Sequence, residues 1–327
     1  MSFRDILGHE KQIGILRNAL ERNRTPHAYL FSGTRGIGKK TTALAVARAI
    51  NCQRGRRDAC DACPSCLKIE RGNHPDVLIV APEGQFIRSQ AIRELQDRMK
   101  FRPFEGGTRV FILIDADRMN DTAANALLKT LEEPNRNNLL ILITPRPYQL
   151  PMTILSRCQM LRFSPLSRET VFRHLRERLS LEPEAAHMLA SSSGGSIGRA
   201  IEMNDENYLT LRNRILDRLF DERMKNPLHV LSFAADFGPD RKGILKRLDI
   251  MRSCFRDALV CKETPDSAAL FNQDRIPMIR SLAAGLAGTD LLRNIQAVNR
   301  AARAIDQNAN KSLTLEAMMF KLAFSRS

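Results

Sequence analysis

The chain of 327 residues has no tryptophan, only three tyrosines and no long hydrophobic run. With so few aromatic side chains, an aromatic stacking platform for single-stranded nucleic acid is not expected. Apolar stretches such as residues 110–114 are far too short to cross a bilayer, and Arg4 and Asp5 precede any apolar run at the N-terminus. The sequence therefore predicts a cytoplasmic protein without a membrane segment.

Acidic residues are the scarcer charged class. The chain has 36 Asp and Glu against 51 Lys and Arg, which gives a net charge of +15. This excess favours a polyanionic neighbour, such as DNA or a nucleotide-bearing partner. Because the basic residues are spread along the chain and aromatic residues are few, any contact with DNA is expected to be to backbone phosphates.

The first half of the chain alternates brief apolar runs with helical patterns, which is typical of an α/β domain with a parallel sheet. The runs predicted to be strands are residues 28–32, 77–80, 110–114 and 139–144. Strand signals cease after Pro165, and helical spacing of apolar residues continues to the C-terminus. We predict an α/β domain over residues 1–165, a small helical lid over 166–205 and a helical domain over 206–327.

A glycine-rich loop lies between the first predicted strand and a helical stretch. Its sequence, GTRGIGK from Gly33 to Lys39 with Gly36 and Gly38 inside, matches the Walker A pattern as far as the lysine. The glycines allow backbone N–H groups to surround phosphate oxygens, and the lysine can reach the terminal phosphates. The motif predicts a phosphate loop, and the alternative is a glycine turn that only connects strand to helix.

This loop lacks the hydroxyl side chain that binds magnesium in an active Walker A motif. The position after the lysine normally carries Ser or Thr, whose hydroxyl binds magnesium, but here it is Lys40, which has donors and no acceptor. Thr41 does not simply replace it, because one residue along a helix rotates the side chain by about 100°. Binding of ATP with Mg²⁺ is therefore left open.

The apolar run that begins at residue 110 ends in Asp115, as in a Walker B strand, where the carboxylate could hold magnesium through water. An active AAA+ ATPase has a glutamate directly afterwards to orient the attacking water, and this chain has Ala116. Asp117 is shorter and displaced, so we do not expect it to serve instead. Two groups that ATP hydrolysis requires are thus missing, at Lys40 and at Ala116.

Four cysteines cluster in a short segment, Cys52, Cys60, Cys63 and Cys66, with the spacing C-x7-C-x2-C-x2-C. Four thiolates with no open position form the closed tetrahedral site of a structural Zn²⁺ ion, and the alternative is four ordinary reduced thiols. Arginines in this segment raise the possibility of a zinc-dependent DNA-binding regulator, but the intervening loops are too short for a reading helix. We predict a zinc module over about residues 52–75.

Together these features resemble the clamp-loader ATPases of bacterial DNA polymerase III over essentially the whole chain. The motifs that carry the resemblance occur in the family's order. They are the phosphate loop, the cysteine module, Asp115 in its strand, the segment ANALLKTLEEP at residues 124–134, and the triplet Ser156-Arg157-Cys158. The resemblance implies an AAA+ phosphate-loop domain with an inserted zinc module, a helical lid and a C-terminal collar for oligomerisation.

Within that family the motor subunits, gamma and tau, carry Thr after the Walker A lysine and Glu after the Walker B aspartate. Lys40 and Ala116 depart from both positions and resemble the non-motor, delta prime branch. The resemblance then implies gamma/tau and delta subunits as partners, the sliding clamp through the assembled complex, and primer–template DNA through phosphates. The rival interpretation is a catalytically active gamma-type ATPase.

The resemblance also implies roles for single residues. Arg157 would act in trans, as an arginine finger on the γ-phosphate of a neighbour's ATP, whereas the alternative is an arginine in a surface ion pair. Ser156 and Cys158 are expected to shape its turn. Thr144 resembles the sensor 1 position, and Arg199 resembles the sensor 2 arginine of the lid.

Overall fold

The computed structural model describes residues 2–55, 57–105, 107–135, 137–221, 223, 226–264 and 270–324. The chain divides into two compact units. The first comprises Met1–Thr170 with Ser196–Gly198, and the second comprises Val171–Gly195 with Arg199–Ser327. The predicted division into three domains is finer than these two units and stays a prediction.

A parallel five-stranded sheet forms the centre of the first unit. Its strands are β1 (Ala28–Ser32), β2 (Val77–Val80), β3 (Arg109–Leu113), β4 (Asn138–Thr144) and β5 (Gln159–Arg162). They lie in the order β2-β3-β4-β1-β5, and each neighbouring pair is parallel. The four apolar runs are confirmed as β1 to β4, and β5 adds an edge strand that the sequence analysis did not predict.

Helices cover both faces of this sheet. They are α1 (Glu10–Glu21), α2 (Lys39–Asn51), α3 (Pro64–Glu70), α4 (Ser89–Met99), α5 (Asp121–Glu132) and α6 (Met152–Leu155). Alternate strand residues point to opposite faces. Tyr29 and Phe31 pack in the cluster that includes α1 and α2, whereas Leu30 packs in the cluster that includes α4 and α5. The fold is therefore the α/β arrangement that the sequence predicted.

The described part of the second unit is built from helices. After α7 (Arg168–Leu179), which begins in the first unit, they are α8 (Pro183–Ser192), α9 (Ile197–Met203), α10 (Glu206–Leu219), α11 (Pro227–Ala235), α12 (Arg241–Glu263), α13 (Ile276–Gly285), α14 (Gly288–Asp306) and α15 (Lys311–Phe324). The long helix α12 packs against α10, α13 and α14. Among the described residues, no helix is both long and apolar enough to cross a membrane.

Candidate functional site

The phosphate loop connects the end of β1 to the start of α2. Gly33, Gly36 and Gly38 have positive φ angles of 147°, 74° and 101°, a region that side chains with a Cβ rarely adopt. A Cβ on Gly33 would also lie 2.3 Å from the carbonyl oxygen of Phe163. The backbone path of this loop therefore depends on glycine at these positions.

The ammonium of Lys39 lies inside the loop. Its Nζ donates to the carbonyl oxygens of Gly33 and Thr34, at 2.5 Å each, and the residue is only 5% exposed. Burial lowers the pKa of Lys39 to about 8, against the opposing attraction of the Asp115 carboxylate. The lysine is thus positioned where phosphate oxygens lie in a Walker A loop.

The residues after Lys39 provide no hydroxyl in the magnesium-binding position. Lys40 is exposed and Thr41 is half-buried. Thr42 is fully buried, and its Oγ1 donates to the carbonyl of Gly38 at 2.9 Å, within the first turn of α2. Its hydroxyl is therefore used within the helix.

Asp115 follows β3 and faces the phosphate loop. Its Oδ2 lies 2.8 Å from a terminal nitrogen of Arg35, a residue of the loop itself. Ala116, the next residue, is fully buried in the apolar cluster that includes α4 and α5. The structure thus joins the Walker A loop to the Walker B aspartate through an arginine that the sequence analysis did not assign.

The carboxylate of Asp117 is bound on both oxygens, and its side chain has no exposed surface. The Thr144 hydroxyl donates to Oδ1 at 2.7 Å, and Nε of Arg146 donates to Oδ2 at 2.8 Å. The residue predicted as sensor 1 is therefore hydrogen-bonded to this aspartate. Arg146 was missed, because its partner is 29 residues away in sequence and only the fold brings them together.

Two residues near the end of the predicted lid contact the phosphate loop within the first unit. The Ser196 hydroxyl donates to the carbonyl of Arg35 at 2.8 Å, and the Gly198 N–H donates to the carbonyl of Gly36 at 2.9 Å. A Cβ on Gly198 would lie 2.8 Å from the Gly36 Cα, so this approach requires glycine.

Arg199, the predicted sensor 2 arginine, belongs to the second unit. Its guanidinium lies 3.0 Å from Asp249 and 5.7 Å from the centre of the Phe271 ring. These contacts connect α9 to α12 and to the segment that precedes α13. A role for Arg199 toward nucleotide stays a prediction.

The four predicted metal ligands come together. The Sγ atoms of Cys52, Cys60, Cys63 and Cys66 all lie within 4.8 Å of one another, a group that could hold a metal ion. Hydrogen bonds, first of all from the Ala62 backbone, lower the pKa of Cys60 to about 6. Cys52 is the C-cap residue of α2 and Cys63 is the N-cap residue of α3, so the cluster brings two helix ends together.

Ion pairs attach the cysteine module to α1 and α2. Buried Arg48 of α2 binds Asp61 at 3.0 Å and Glu70 at 3.4 Å. The Asp58 carboxylate accepts from the Phe3 backbone at 2.8 Å and binds Arg17 of α1 at 3.0 Å. The module is therefore fixed to the helices that follow and precede β1.

Arg157 lies in the turn between α6 and β5. One terminal nitrogen donates to the Thr153 carbonyl at 3.0 Å, and the other is 2.9 Å from Oε1 of Glu132; the side chain is 36% exposed. The Ser156 hydroxyl donates to the same carbonyl at 3.2 Å. The partly buried Cys158 side chain packs against the apolar cluster that includes α4 and α5, and burial raises the pKa of its thiol to about 12.

Comparison with known proteins identifies the family. The family model described as DNA polymerase III, delta subunit, matches residues 8–167, and the one described as DNA polymerase III, delta subunit, C terminal, matches residues 206–323. A DNA polymerase III subunit delta' of Bacillus subtilis is 32% identical over 314 residues, which cover 94% of each chain. The chain belongs to the DNA polymerase III delta prime family. Its members are clamp-loader subunits.

Gamma and tau subunits are also related to this delta prime family chain. A tau/gamma subunit of Haemophilus influenzae is 36% identical over 211 residues, which are 63% of this chain and 30% of that protein. A tau subunit of Escherichia coli is 34% identical over 211 residues, 63% of this chain and 33% of its own. A solved gamma subunit-related protein of Thermotoga maritima covers 96% of this chain with a TM-score of 0.44 and 17% identity.

Proposed function

We propose that this chain is the non-motor, delta prime subunit of the clamp loader and offers Arg157 to ATP bound by a neighbouring gamma or tau subunit. One observation carries the non-motor part. Buried Ala116 occupies the position of the catalytic glutamate, while both nearby carboxylates are bound by arginines of the same chain. The chain then contributes to clamp loading by acting on a neighbour's ATP and does not hydrolyse ATP itself.

Hydrolysis by a phosphate-loop protein requires a held magnesium ion and an oriented water. Lys40 offers three donors and no acceptor, so it cannot supply the hydroxyl ligand of the metal. The glycines and Lys39 keep the parts of the loop that contact phosphate. The loop therefore keeps the groups needed to bind phosphate and lacks those needed to hydrolyse ATP.

Asp117 does not take over as general base. A base must lie within hydrogen-bond reach of the water whose proton it accepts. The Asp117 oxygens accept hydrogen bonds from Thr144 and Arg146, and the side chain is fully buried. Its carboxylate is a structural anion that fixes the end of β4.

Arg157 suits a role at a neighbour's ATP. Its guanidinium stays charged at any relevant pH and can bind two phosphate oxygens at once, which lysine cannot reproduce. Ser156 and Cys158 hold the turn, so the side chain projects from a fixed backbone. The Glu132 ion pair is no obstacle, because pairs this exposed contribute only about 0–1 kcal/mol.

We also propose that the cysteine cluster holds a structural Zn²⁺ ion. Tetrahedral zinc with Zn–S bonds of about 2.3 Å places its sulfur atoms about 3.8 Å apart, which matches four Sγ atoms within 4.8 Å. The Cys63 N–H donates to the Cys60 sulfur at 3.3 Å, and such bonds favour the thiolate form. With all four positions filled by the protein, the ion would stabilise the fold and do no chemistry.

The partners follow from the same proposal. Gamma or tau would receive Arg157, delta would complete the loader, and the sliding clamp would be engaged by the assembled complex. We assign subunit association to the C-terminal helices from α10 onward. The net charge of +15 favours primer–template DNA, bound through its phosphates. The proposed location of this replication complex is the cytoplasm.

Reconstitution with gamma and delta subunits tests the finger. We expect Arg157→Ala to leave assembly intact and to lower the ATPase rate of the complex by at least the share of one site, because developing charge on the γ-phosphate loses its partner. Arg157→Lys should not restore the rate. Arg162→Ala, which removes an exposed arginine of neighbouring strand β5, is the matched control. An unchanged rate with Arg157→Ala would remove the finger from the proposal.

A further inference from the structure

Helix α5 contains most of the family segment ANALLKTLEEP, and the helix ends at Glu132, two residues before the segment does. The apolar part of this segment is explained by packing, since Ala124, Leu127 and Leu131 are buried under the helix. Glu132 is exposed and makes no contribution to that core. Its presence therefore needs another reason.

Helix stability does not provide that reason. The C-terminal end of a helix carries partial negative charge, so carboxylates there are unfavourable and cations are favoured. Glu132 and Glu133 both lie at this end of α5. What distinguishes Glu132 is its partner: Oε1 lies 2.9 Å from a terminal nitrogen of Arg157.

The guanidinium of Arg157 is held at two points. One terminal nitrogen binds Glu132 and the other donates to the Thr153 carbonyl at 3.0 Å. The Arg157 backbone N–H also donates to the carbonyl oxygen of Ile154 at 3.1 Å, which holds the turn that carries the side chain. A guanidinium has five N–H donors, and two such contacts leave three of them for phosphate oxygens.

We infer that Glu132 is a positioning residue for Arg157. The inference rests on the proposed trans finger and deepens it. By holding an otherwise flexible side chain in one orientation, Glu132 reduces the rotamer freedom that the arginine loses when it meets a neighbour's phosphate. The family segment on α5 and the Ser-Arg-Cys turn then form one functional unit.

A double-mutant cycle in the reconstituted complex with gamma and delta tests this. The ATPase rate lost with Arg157→Ala defines the finger-dependent share. We expect Glu132→Ala to lower that share about threefold, which corresponds to about 0.65 kcal/mol and is typical of an exposed ion pair. Glu132→Gln, which keeps an oxygen acceptor, should recover part of it. In an Arg157→Ala background, Glu132→Ala should have no further effect.

The adjacent acid provides the control. Glu133→Ala removes the same charge from the same helix end and should leave the rate unchanged, and size-exclusion chromatography should show equal assembly for all variants. An equal loss from Glu132→Ala with and without Arg157, a loss from Glu133→Ala as large as from Glu132→Ala, or a raised rate, would overturn the positioning role. If Arg157→Ala lowers the rate and Glu132→Ala does not, only this role fails. If Arg157→Ala itself has no effect, the proposed finger fails and the role with it.

Discussion

At the scale of single residues, the site is a phosphate loop whose charged groups are bound within the chain. Lys39 donates to the loop's own carbonyls, Asp115 pairs with Arg35, and Asp117 accepts from Thr144 and Arg146. These contacts satisfy charges that a working ATPase would direct at magnesium, water and phosphate. Position 40 offers no hydroxyl and position 116 no carboxylate, and the charged groups near them are paired within the chain.

Lys39 gives a prediction about pH. Its folded-state pKa of about 8 lies below the value near 10.4 expected in the unfolded chain. Between these values the unfolded chain binds more protons, so this group makes stability rise with pH and its contribution then levels off. We expect the native chain to gain up to about 3 kcal/mol relative to Lys39→Met across that window. Urea unfolding midpoints at several pH values between 7.5 and 10.5 measure it, and parallel curves for the two proteins would contradict it.

The motifs at this scale could be read from the sequence, and their partners could not. Gly33 to Lys39 and the four cysteines are local patterns, so their spacing alone predicts a phosphate loop and a metal site. Arg146 and Ser196 lie far along the chain from the groups they contact. No sequence pattern indicates such contacts. They depend on the order of the strands in the sheet and on the path of the chain after the sheet.

At the scale of elements, α2 connects the two sites. It begins at Lys39, directly after the phosphate loop, and ends at Asn51, beside the cluster cysteine Cys52. Arg48 in its last turn binds two acids of the cysteine module. The cysteine module therefore contacts the end of the helix whose start follows the phosphate loop.

Removal of one cysteine tests the proposed zinc site. Cys66 is fully buried, and Cys66→Ser should abolish stoichiometric zinc and lower the melting temperature by several degrees, because a structural zinc site stabilises the folded state directly. Hydrogen exchange at residues 46–51 should also become faster. Cys261→Ser, outside the cluster, should keep the zinc. Elemental analysis decides the matter: zinc retained by Cys66→Ser, or absent from the native chain, would refute the site.

The strands show what an apolar pattern can and cannot predict. β1, β3 and β4 are almost wholly buried, and their continuous apolar runs were recognised. In β5 only Leu161 is buried, while Gln159 and Arg162 are exposed. β5 therefore carries too little apolar sequence to be predicted, whereas β2, at the opposite edge of the sheet, is the continuous apolar run VLIV.

At the scale of the whole molecule, the resemblance to the delta prime family extends over most of the chain. The delta' relative matches 94% of the chain, and the family models match residues 8–167 and 206–323. The tau/gamma relative of Haemophilus influenzae and the tau relative of Escherichia coli each match 63% of it. The fold class and family could be predicted, since strands, loop and motifs follow in a specific order. The lid over residues 166–205 stays a prediction, because helices follow one another from α7 to α15 on both sides of its second boundary.

The central claim is that this chain keeps the phosphate loop of its family without turning over ATP. The most direct measurement is ATP hydrolysis by the isolated chain with magnesium and primed DNA, compared with its Lys39→Ala variant. The account predicts the same background rate for both proteins, because Ala116 and Lys40 leave neither a base nor a hydroxyl ligand for the metal. Magnesium-dependent hydrolysis that DNA stimulates and that Lys39→Ala abolishes would contradict it and would identify a gamma-type motor.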